Sequence, residues 1–175
     1  MNEKKLYKNK YRIKSIRLPN WDYGWNAAYF ITICAKNRIH YFGKIENEKM
    51  ILTDIGKSAE KYWYEIPEHF PFVKLGEFVV MPNHIHGIII IDKPSRQPSQ
   101  KSKNKFGPQS QNLASIVRGY KIGVTKYSKR LEIEFKWQSR FYEHIIRNEN
   151  ERIRIQDYIN DNVKNWEEDG FYNDK

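Results

Sequence analysis

The sequence predicts a single α+β domain of the ferredoxin-like class, with an antiparallel sheet, helices packed on one face and a further helix near the C-terminus. The order of the segments is the first reason, because strand-like and helix-like stretches follow one another as βαββαβ before a final helix. Size is the second, since 175 residues make about one domain. Composition is the third: 12 Tyr, 9 Phe and 5 Trp supply enough ring surface for a packed core.

The first half of the chain predicts one strand, a hairpin and a helix. Residues 27–34 are rich in β-branched and aromatic side chains, which favours a strand. Residues 41–45 and 49–52 are typical of a short hairpin. Thr53 can cap the helix that follows, and apolar residues recur at helical spacing over residues 54–69, where two prolines are expected to end the helix.

The second half completes the pattern. Residues 72–80 and 83–91 are separated by only two residues, so they should pair as antiparallel strands, and the second is apolar on both faces, as a central strand is. Residues 113–131 carry a narrow apolar stripe and predict an amphipathic helix. Residues 137–146 predict the last strand, and a capping pattern predicts a final helix over residues 149–163.

Charge and composition bound the class of function. Lys and Arg outnumber Asp and Glu by 31 to 21, a net charge of +10, and an excess of this kind is typical of proteins that bind nucleic acids. The longest apolar run, residues 87–91, is far shorter than the ~20 residues that span a bilayer, so no membrane anchor is predicted. Cys34 is the single cysteine, which excludes an internal disulfide and favours a reducing, cytoplasmic location.

Two basic segments divide the chain into a predicted arm, residues 1–26, and a domain, residues 27–175, that contains a mobile loop at about residues 92–110. Cations in such segments bind backbone phosphates without sequence preference. The alternative is that both segments are solvated tails with no ligand. The cations predicted to contact DNA are Lys4, Lys5, Lys8, Lys10 and Arg12 in the arm, and Lys101, Lys103 and Lys105 in the loop.

A pair of histidines marks the predicted central strand. His84 and His86 flank Ile85, and alternate strand residues face the same way, so both imidazoles should project from one face with Cα atoms about 6.6 Å apart. Two neutral imidazoles can share one divalent cation and leave other coordination positions open. Taken alone, the pair also fits two structural histidines with hydrogen-bonded rings.

Three motifs in order connect this pair to a known family. They are Met81-Pro82-Asn83-His84-Ile85-His86-Gly87-Ile88, then Trp137-Gln138-Ser139-Arg140-Phe141-Tyr142-Glu143-His144, then Asp157-Tyr158-Ile159. Together they resemble the REP-associated tyrosine transposases, which belong to the single-tyrosine HUH transposase superfamily. The resemblance extends from about Tyr29 to Trp166, which is most of the predicted domain.

The resemblance implies a function and a set of site residues. It implies that His84 and His86 bind a divalent metal, Mg²⁺ or Mn²⁺, and that Tyr158 attacks a phosphate of single-stranded DNA beside a hairpin to form a 5′-phosphotyrosine. No nucleotide cofactor is implied. Asn162, four residues after the tyrosine, is implied as a third metal contact, although Val163 follows it where relatives commonly have proline. Relatives act as monomers or as homodimers, and the sequence leaves both open.

Helical geometry supports the choice of tyrosine. Tyr120 and Tyr127 lie inside the apolar stripe of their helix, which commits both rings to the core. Tyr158 projects about 80–100° away from the centre of the stripe on the final helix, so its hydroxyl can reach a site over the sheet. Asn162 lies one turn further along the same edge.

Other polar residues and other functions compete with this interpretation. Arg140 is predicted to contact DNA, with ordinary surface charge as its alternative, whereas Glu143 and His144 should face opposite ways on a strand and are expected to be structural. The rival function is a ferredoxin-like module that binds single-stranded nucleic acid without turnover. A metal-dependent phosphoesterase of small substrates is a weaker alternative, because it leaves the basic charge unexplained. Metal dependence of DNA cleavage separates the first two.

Overall fold

The computed structural model describes residue 18, residues 21–94 and residues 110–172. Within these ranges the fold is mixed α+β with an antiparallel sheet, which confirms the predicted α+β class. No helix in this part of the chain is both long enough and apolar enough to cross a membrane. The elements are β1 (Ala27–Cys34), β2 (Gly43–Glu46), β3 (Lys49–Leu52), α1 (Asp54–Tyr64), α2 (Ile66–His69), β4 (Val73–Val80), β5 (His84–Ile91), α3 (Leu113–Arg130), β6 (Tyr142–Ile146) and α4 (Glu149–Asp161), with short 3₁₀ turns at Lys36–Arg38 and Trp166–Glu168.

Four strands form an antiparallel sheet in the order β4-β5-β1-β6. The histidine-bearing strand β5 is therefore internal, as its apolar sequence predicts. Its register places His84 opposite Cys34 and His86 opposite Thr32 of β1. The hairpin β2–β3 forms a separate two-stranded sheet, and in the chain it lies between β1 and α1.

The two faces of the main sheet carry different helices. Helices α1 and α3 cover the face that holds Ile85 and Ile89 of β5, where Trp63 is fully buried. Helix α4 lies on the opposite face, where its Ile159 packs against Phe30 and Ile88. Because side chains alternate along β5, the two histidines project toward α4 and away from the main core.

Two predicted boundaries differ from the structure. The single helix predicted over residues 54–69 is α1 followed by α2, and Pro67 lies in the first turn of α2 instead of ending a helix. Proline is tolerated there because the first-turn N–H groups have no partner within the helix. The strand predicted from Trp137 begins only at Tyr142, and Trp137 makes an isolated bridge to Ala35.

The basic segments lie mostly outside the described residues. Lys4, Lys5, Lys8, Lys10, Arg12, Lys101, Lys103 and Lys105 all fall there, so their predicted contacts with DNA stay predictions. Residues 21–26, the end of the predicted arm, pack against the domain instead of extending away from it. Tyr23 is buried, and its carbonyl oxygen accepts a hydrogen bond from the Leu113 N–H at 3.0 Å.

Gly87 fixes how closely α1 approaches β5, and Gly87→Ala tests that packing. A Cβ atom at this position would overlap the indole ring of Trp63. We expect the substitution to lower the free energy of unfolding by about 1–3 kcal/mol, as overpacking of a core does. Urea denaturation measures the change.

The matched control is Gly119→Ala on α3, where the added Cβ meets Phe70 only at ordinary contact distance, 3.4 Å, and helix propensity should stabilise the protein. Equal stability of the two variants would contradict the packing described.

Candidate active site

The histidine pair lies at the start of β5 and is almost completely buried: His84 is 0% exposed and His86 is 1% exposed. Both rings lie on the α4 face of the sheet, as strand alternation predicts. Their Nε2 atoms point toward each other at 2.9 Å. The two side chains therefore present ring nitrogens to one shared point.

Neighbouring side chains orient both imidazoles. The Asn83 amide donates to the Phe171 carbonyl oxygen at 2.9 Å, so its own carbonyl oxygen faces His84 Nδ1 at 2.8 Å. That Nδ1 must carry the proton, which leaves the lone pair of His84 on Nε2. His86 Nδ1 lies 2.8 Å from the Thr32 hydroxyl. Such partners on the outer ring nitrogen fix ring orientation in metal-binding histidines.

Burial keeps both rings neutral. It lowers the pKa of His84 well below the usual histidine value, with smaller contributions from His86 and Arg38. It also lowers the pKa of His86 to about 4, against an opposing effect of the Asp169 carboxylate. Both imidazoles are thus uncharged at neutral pH, each with one N–H and one nitrogen lone pair, which is the state that binds a metal ion.

Tyr158 meets this pair from helix α4. Its hydroxyl lies 3.1 Å from His86 Nε2, and its ring contacts Phe30 edge to face. The side chain is 43% exposed, so one side of the phenol is open to solvent. Burial of the other side, reinforced by the charge of Asp169, raises the pKa of Tyr158 to about 12. The hydroxyl is therefore protonated at neutral pH and needs a nearby cation to become an effective nucleophile.

The two tyrosines of α3 lie where the apolar stripe predicts. Tyr120 is buried, and its hydroxyl donates to the Ala59 carbonyl oxygen at 3.0 Å. Tyr127 packs against the main core. Both belong to α3, on the opposite face of the sheet from the histidines, so neither shares their site.

Asp169 is a site residue that the sequence alone does not reveal. Its side chain is 2% exposed, and its Oδ2 lies 4.0 Å from His84 Nε2 and 3.4 Å from the Tyr158 hydroxyl, which donates to it. The ligand atoms of His84, His86 and Asp169 lie within 4.8 Å of one another. The Asp169-Gly170 dipeptide indicates a turn, but no spacing in the chain connects it to the histidines.

Asn162 contacts this carboxylate. It is 2% exposed, and its amide nitrogen donates to Asp169 Oδ2 at 3.0 Å. Its carbonyl oxygen has no hydrogen-bond partner among the described residues. Direct contact of Asn162 with a metal stays a prediction. In this structure the amide orients Asp169.

The segment after α4, residues 166–172, closes over the histidines. The Phe171 ring lies 4.6 Å from the His84 ring. Arg38, in the turn after β1, donates to the Gly170 carbonyl oxygen at 3.0 Å and stacks over Phe171 at 5.0 Å. A cavity of about 250 Å³ remains beside Tyr158 and Asn162, between α4 and this segment. Access to the site therefore runs past Tyr158.

Two further residues considered in the sequence lie away from the cluster. Arg140 is exposed and precedes β6, where its carbonyl oxygen accepts from Lys121 Nζ at 3.2 Å. His144 pairs with Glu151 at 2.8 Å, which ties β6 to the first turn of α4. The expected structural role of His144 fits this contact.

Comparison with known proteins identifies two relatives in Haemophilus influenzae. No family model matches the sequence. An uncharacterised protein of Haemophilus influenzae is 44% identical over 169 residues, covering 92% of this chain and 93% of the relative. A second H. influenzae protein, provisionally named a REP-associated tyrosine transposase, is 26% identical over 167 residues, covering 87% of this chain and 84% of the relative. This similarity confirms the resemblance to the REP-associated tyrosine transposases that the three motifs predict.

A solved structure agrees with this family at the level of the fold. A REP-associated tyrosine transposase bound to a REP hairpin superposes with a TM-score of 0.60 at 19% identity, covering 91% of this chain and 76% of that chain. At this identity the likeness concerns the fold alone. The chain therefore combines this fold with a cluster of His84, His86 and Tyr158 on one face of its sheet.

Proposed function

We propose that this protein cleaves and rejoins single-stranded DNA beside hairpins, with Tyr158 as the nucleophile and a divalent cation, Mg²⁺ or Mn²⁺, at the histidine pair. One observation carries the proposal: the Tyr158 hydroxyl lies 3.1 Å from His86 Nε2, although 72 residues separate them in the chain. The outer nitrogens of both histidines already have buried partners in Asn83 and Thr32, so a purely structural pair would not require a partly exposed phenol as well.

The residues present fit a divalent cation. His84 offers the lone pair of Nε2 toward His86 Nε2 at 2.9 Å, and adjacent ligands of an octahedral ion with bonds of about 2.0–2.1 Å are about 2.9 Å apart. Asp169 adds a carboxylate beside them. We assign His84, His86 and Asp169 as the ligand set, with Asn162 as a further candidate through its carbonyl oxygen, which is unpartnered among the described residues.

The reaction is a transesterification, in which one phosphorus–oxygen ester bond forms and another breaks. Tyr158 Oη forms a bond to the phosphorus, the bond from phosphorus to the 3′-oxygen breaks, and the 3′-oxygen leaves with a proton from water. The phenol loses its proton to solvent, which reaches the exposed side of the ring. When bound, the cation would neutralise a non-bridging phosphate oxygen and stabilise the leaving 3′-oxygen. Attack by a 3′-hydroxyl on the phosphotyrosine reverses the step, so joining needs no nucleotide cofactor.

The other site residues position these groups. Asn83 and Thr32 hold the two imidazoles by their outer ring nitrogens, and Asn162 holds the Asp169 carboxylate. Phe30 supports the rings of both Tyr158 and His86. Tyr158 and both histidines belong to the same chain, so the proposed reaction requires no second copy.

The fold likeness and the net charge support the proposed substrate class. The relative of known structure is described as bound to a REP hairpin, and we propose hairpin-containing single-stranded DNA as the substrate of this protein as well. The net charge of +10 favours DNA binding. The basic arm, the 92–110 loop and Arg140 are the proposed phosphate contacts.

Adduct formation tests the proposal. The protein is incubated with labelled single-stranded oligonucleotides that carry hairpins of varied sequence, in Mn²⁺, in Mg²⁺ and in EDTA. We expect a protein–DNA adduct that survives a denaturing gel, forms with either metal and disappears in EDTA. Binding that is unchanged by EDTA with no adduct on any hairpin would overturn the proposal in favour of a binding module without turnover.

A further inference from the structure

We infer that the single-stranded DNA next to the cleavage site binds in a basic groove along α3, on the other side of the sheet edge from Tyr158. The inference deepens the proposed function and rests on its substrate class. Two adjoining cavities form the groove, with volumes of about 840 and 520 Å³. Thr125 and Ser139 line both cavities, so the groove is continuous.

The groove is positively charged along its length. Among the described residues, none that lines either cavity is acidic. Arg118 and Lys129, the outermost α3 cations that line the groove, are eleven residues apart, which is about 16 Å of helix. That length suits a strand carrying several phosphates. The cations that line the groove are Arg118, Lys121, Lys126 and Lys129 of α3, and Lys36, Arg38 and Lys136 beside β1.

The hydrogen-bond and ion-pair partners of two of these lysines leave the positive charge of the groove largely uncompensated. The Lys136 ammonium lies 2.6 Å from Glu134, which is outside the groove, and both side chains are exposed, where pairing is weak. Lys121 donates to the carbonyl oxygens of Gln138 and Arg140 at 2.7 and 3.2 Å. Carbonyl oxygens carry no net charge, so these hydrogen bonds orient the ammonium without cancelling its charge.

Aromatic rings line the same groove. Phe135 and Trp137 lie in the first cavity and Phe141 lies in the second. Trp137 is only partly buried, and the Lys121 ammonium lies 5.6 Å from its ring centre. Cations beside partly exposed rings suit a single strand, whose phosphates and unpaired bases are both accessible, better than a duplex, whose bases are stacked inside.

One end of the groove reaches the active site. Arg38 lines the first cavity, and its guanidinium also contacts Gly170 and Phe171 of the segment that covers His84. A strand leaving the Tyr158 site past this segment therefore meets Arg38 first and the α3 cations afterwards. The groove is in this way continuous with the site instead of being a separate basic patch.

DNA-binding measurements in EDTA test the inference without requiring cleavage. Anisotropy is measured over a range of salt concentrations with two probes that share one stem: a hairpin with a single-stranded flank, and the same hairpin with blunt ends. The test variant is Lys126→Ala/Lys129→Ala, both exposed on α3. The control is Lys57→Ala/Lys61→Ala on α1, which removes the same charge from exposed positions outside the groove.

The expected result is specific to the flanked probe. Removing one cation that binds a phosphate of a single strand reduces the slope of log K against log salt by about 0.7, so the groove variant should reduce it by about 1.4. The control should leave the slope within error, and the blunt probe should bind both variants alike. An unchanged slope with the groove variant, or an equal reduction on the blunt probe, would overturn the inference; the latter would assign the groove to the stem.

The outcome is separable from that of the proposed function. If the unaltered protein forms the adduct while the groove variant keeps the wild-type salt slope, only the groove assignment fails. If the flank binds through the groove but no adduct forms in Mn²⁺, the groove stands and the cleavage proposal fails.

Discussion

Tyr158→Phe is expected to abolish the covalent protein–DNA adduct and to lower strand cleavage at least about 10³-fold, because it removes the oxygen that attacks the phosphate. Hairpin affinity in EDTA should change less than about twofold, since the ring and its contact with Phe30 remain. Cleavage and adduct are measured on the same gel with Mn²⁺. Loss of cleavage together with retained hairpin affinity is the result expected when the substituted residue is the nucleophile.

The chain provides a matched control for this variant. Tyr64→Phe removes an exposed hydroxyl from α1, 62% exposed and on the other face of the sheet. It should retain full cleavage. If Tyr158→Phe still formed an adduct, the nucleophile would lie elsewhere, and the proximity of Tyr158 to His86 would have to be structural.

His84→Ala is expected to weaken Mn²⁺ binding by at least about 100-fold and to remove cleavage with it, because one of the convergent ring nitrogens is gone. Isothermal titration with Mn²⁺ measures affinity directly and does not depend on turnover. Since His84 is buried, circular dichroism and urea denaturation must show that the variant folds. The control is His69→Ala, an exposed histidine at the end of α2, which should bind Mn²⁺ as the unaltered protein does.

Asp169→Asn and Asn162→Ala separate the roles of the two residues behind the histidines. If Asp169 is a ligand, Asp169→Asn should weaken Mn²⁺ binding about 10- to 100-fold, and Asn162→Ala should have a smaller effect because it only frees the carboxylate that it orients. The reverse order would make Asn162 the ligand, as the family resemblance implies, and Asp169 the residue that holds it.

The segment that carries Asp169 also explains the burial of the histidines. Asn83, Arg38 and Asn162 each bond to this segment, through Phe171, Gly170 and Asp169 respectively. The same contacts orient His84 and exclude water from it. Exclusion of water strengthens electrostatic interactions at the site, which favours the interaction of the neutral imidazoles with a cation.

Local sequence patterns determined much of this site. Alternation along a strand places His84 and His86 on one face whatever surrounds them, and helical periodicity separates Tyr158 from the buried Tyr120. The order of segments predicts the α+β fold, because each amphipathic segment must bury its apolar side. These features depend on residues a few positions apart, so one sequence suffices to predict them.

Only the tertiary structure decided what else meets the histidines. Helix α4 packs on the face opposite α1 and α3, because Ile159 is buried there against Phe30 and Ile88. This packing places the Tyr158 hydroxyl beside His86 Nε2. The chain then turns back after α4, so that Phe171 bonds to Asn83, 88 residues earlier in the sequence, and Asp169 lies beside His84. Such contacts depend on the summed burial of many distant side chains and leave no periodic signal in the sequence. Asp169 was therefore absent from the predicted site, whereas the histidines and the tyrosine were in it.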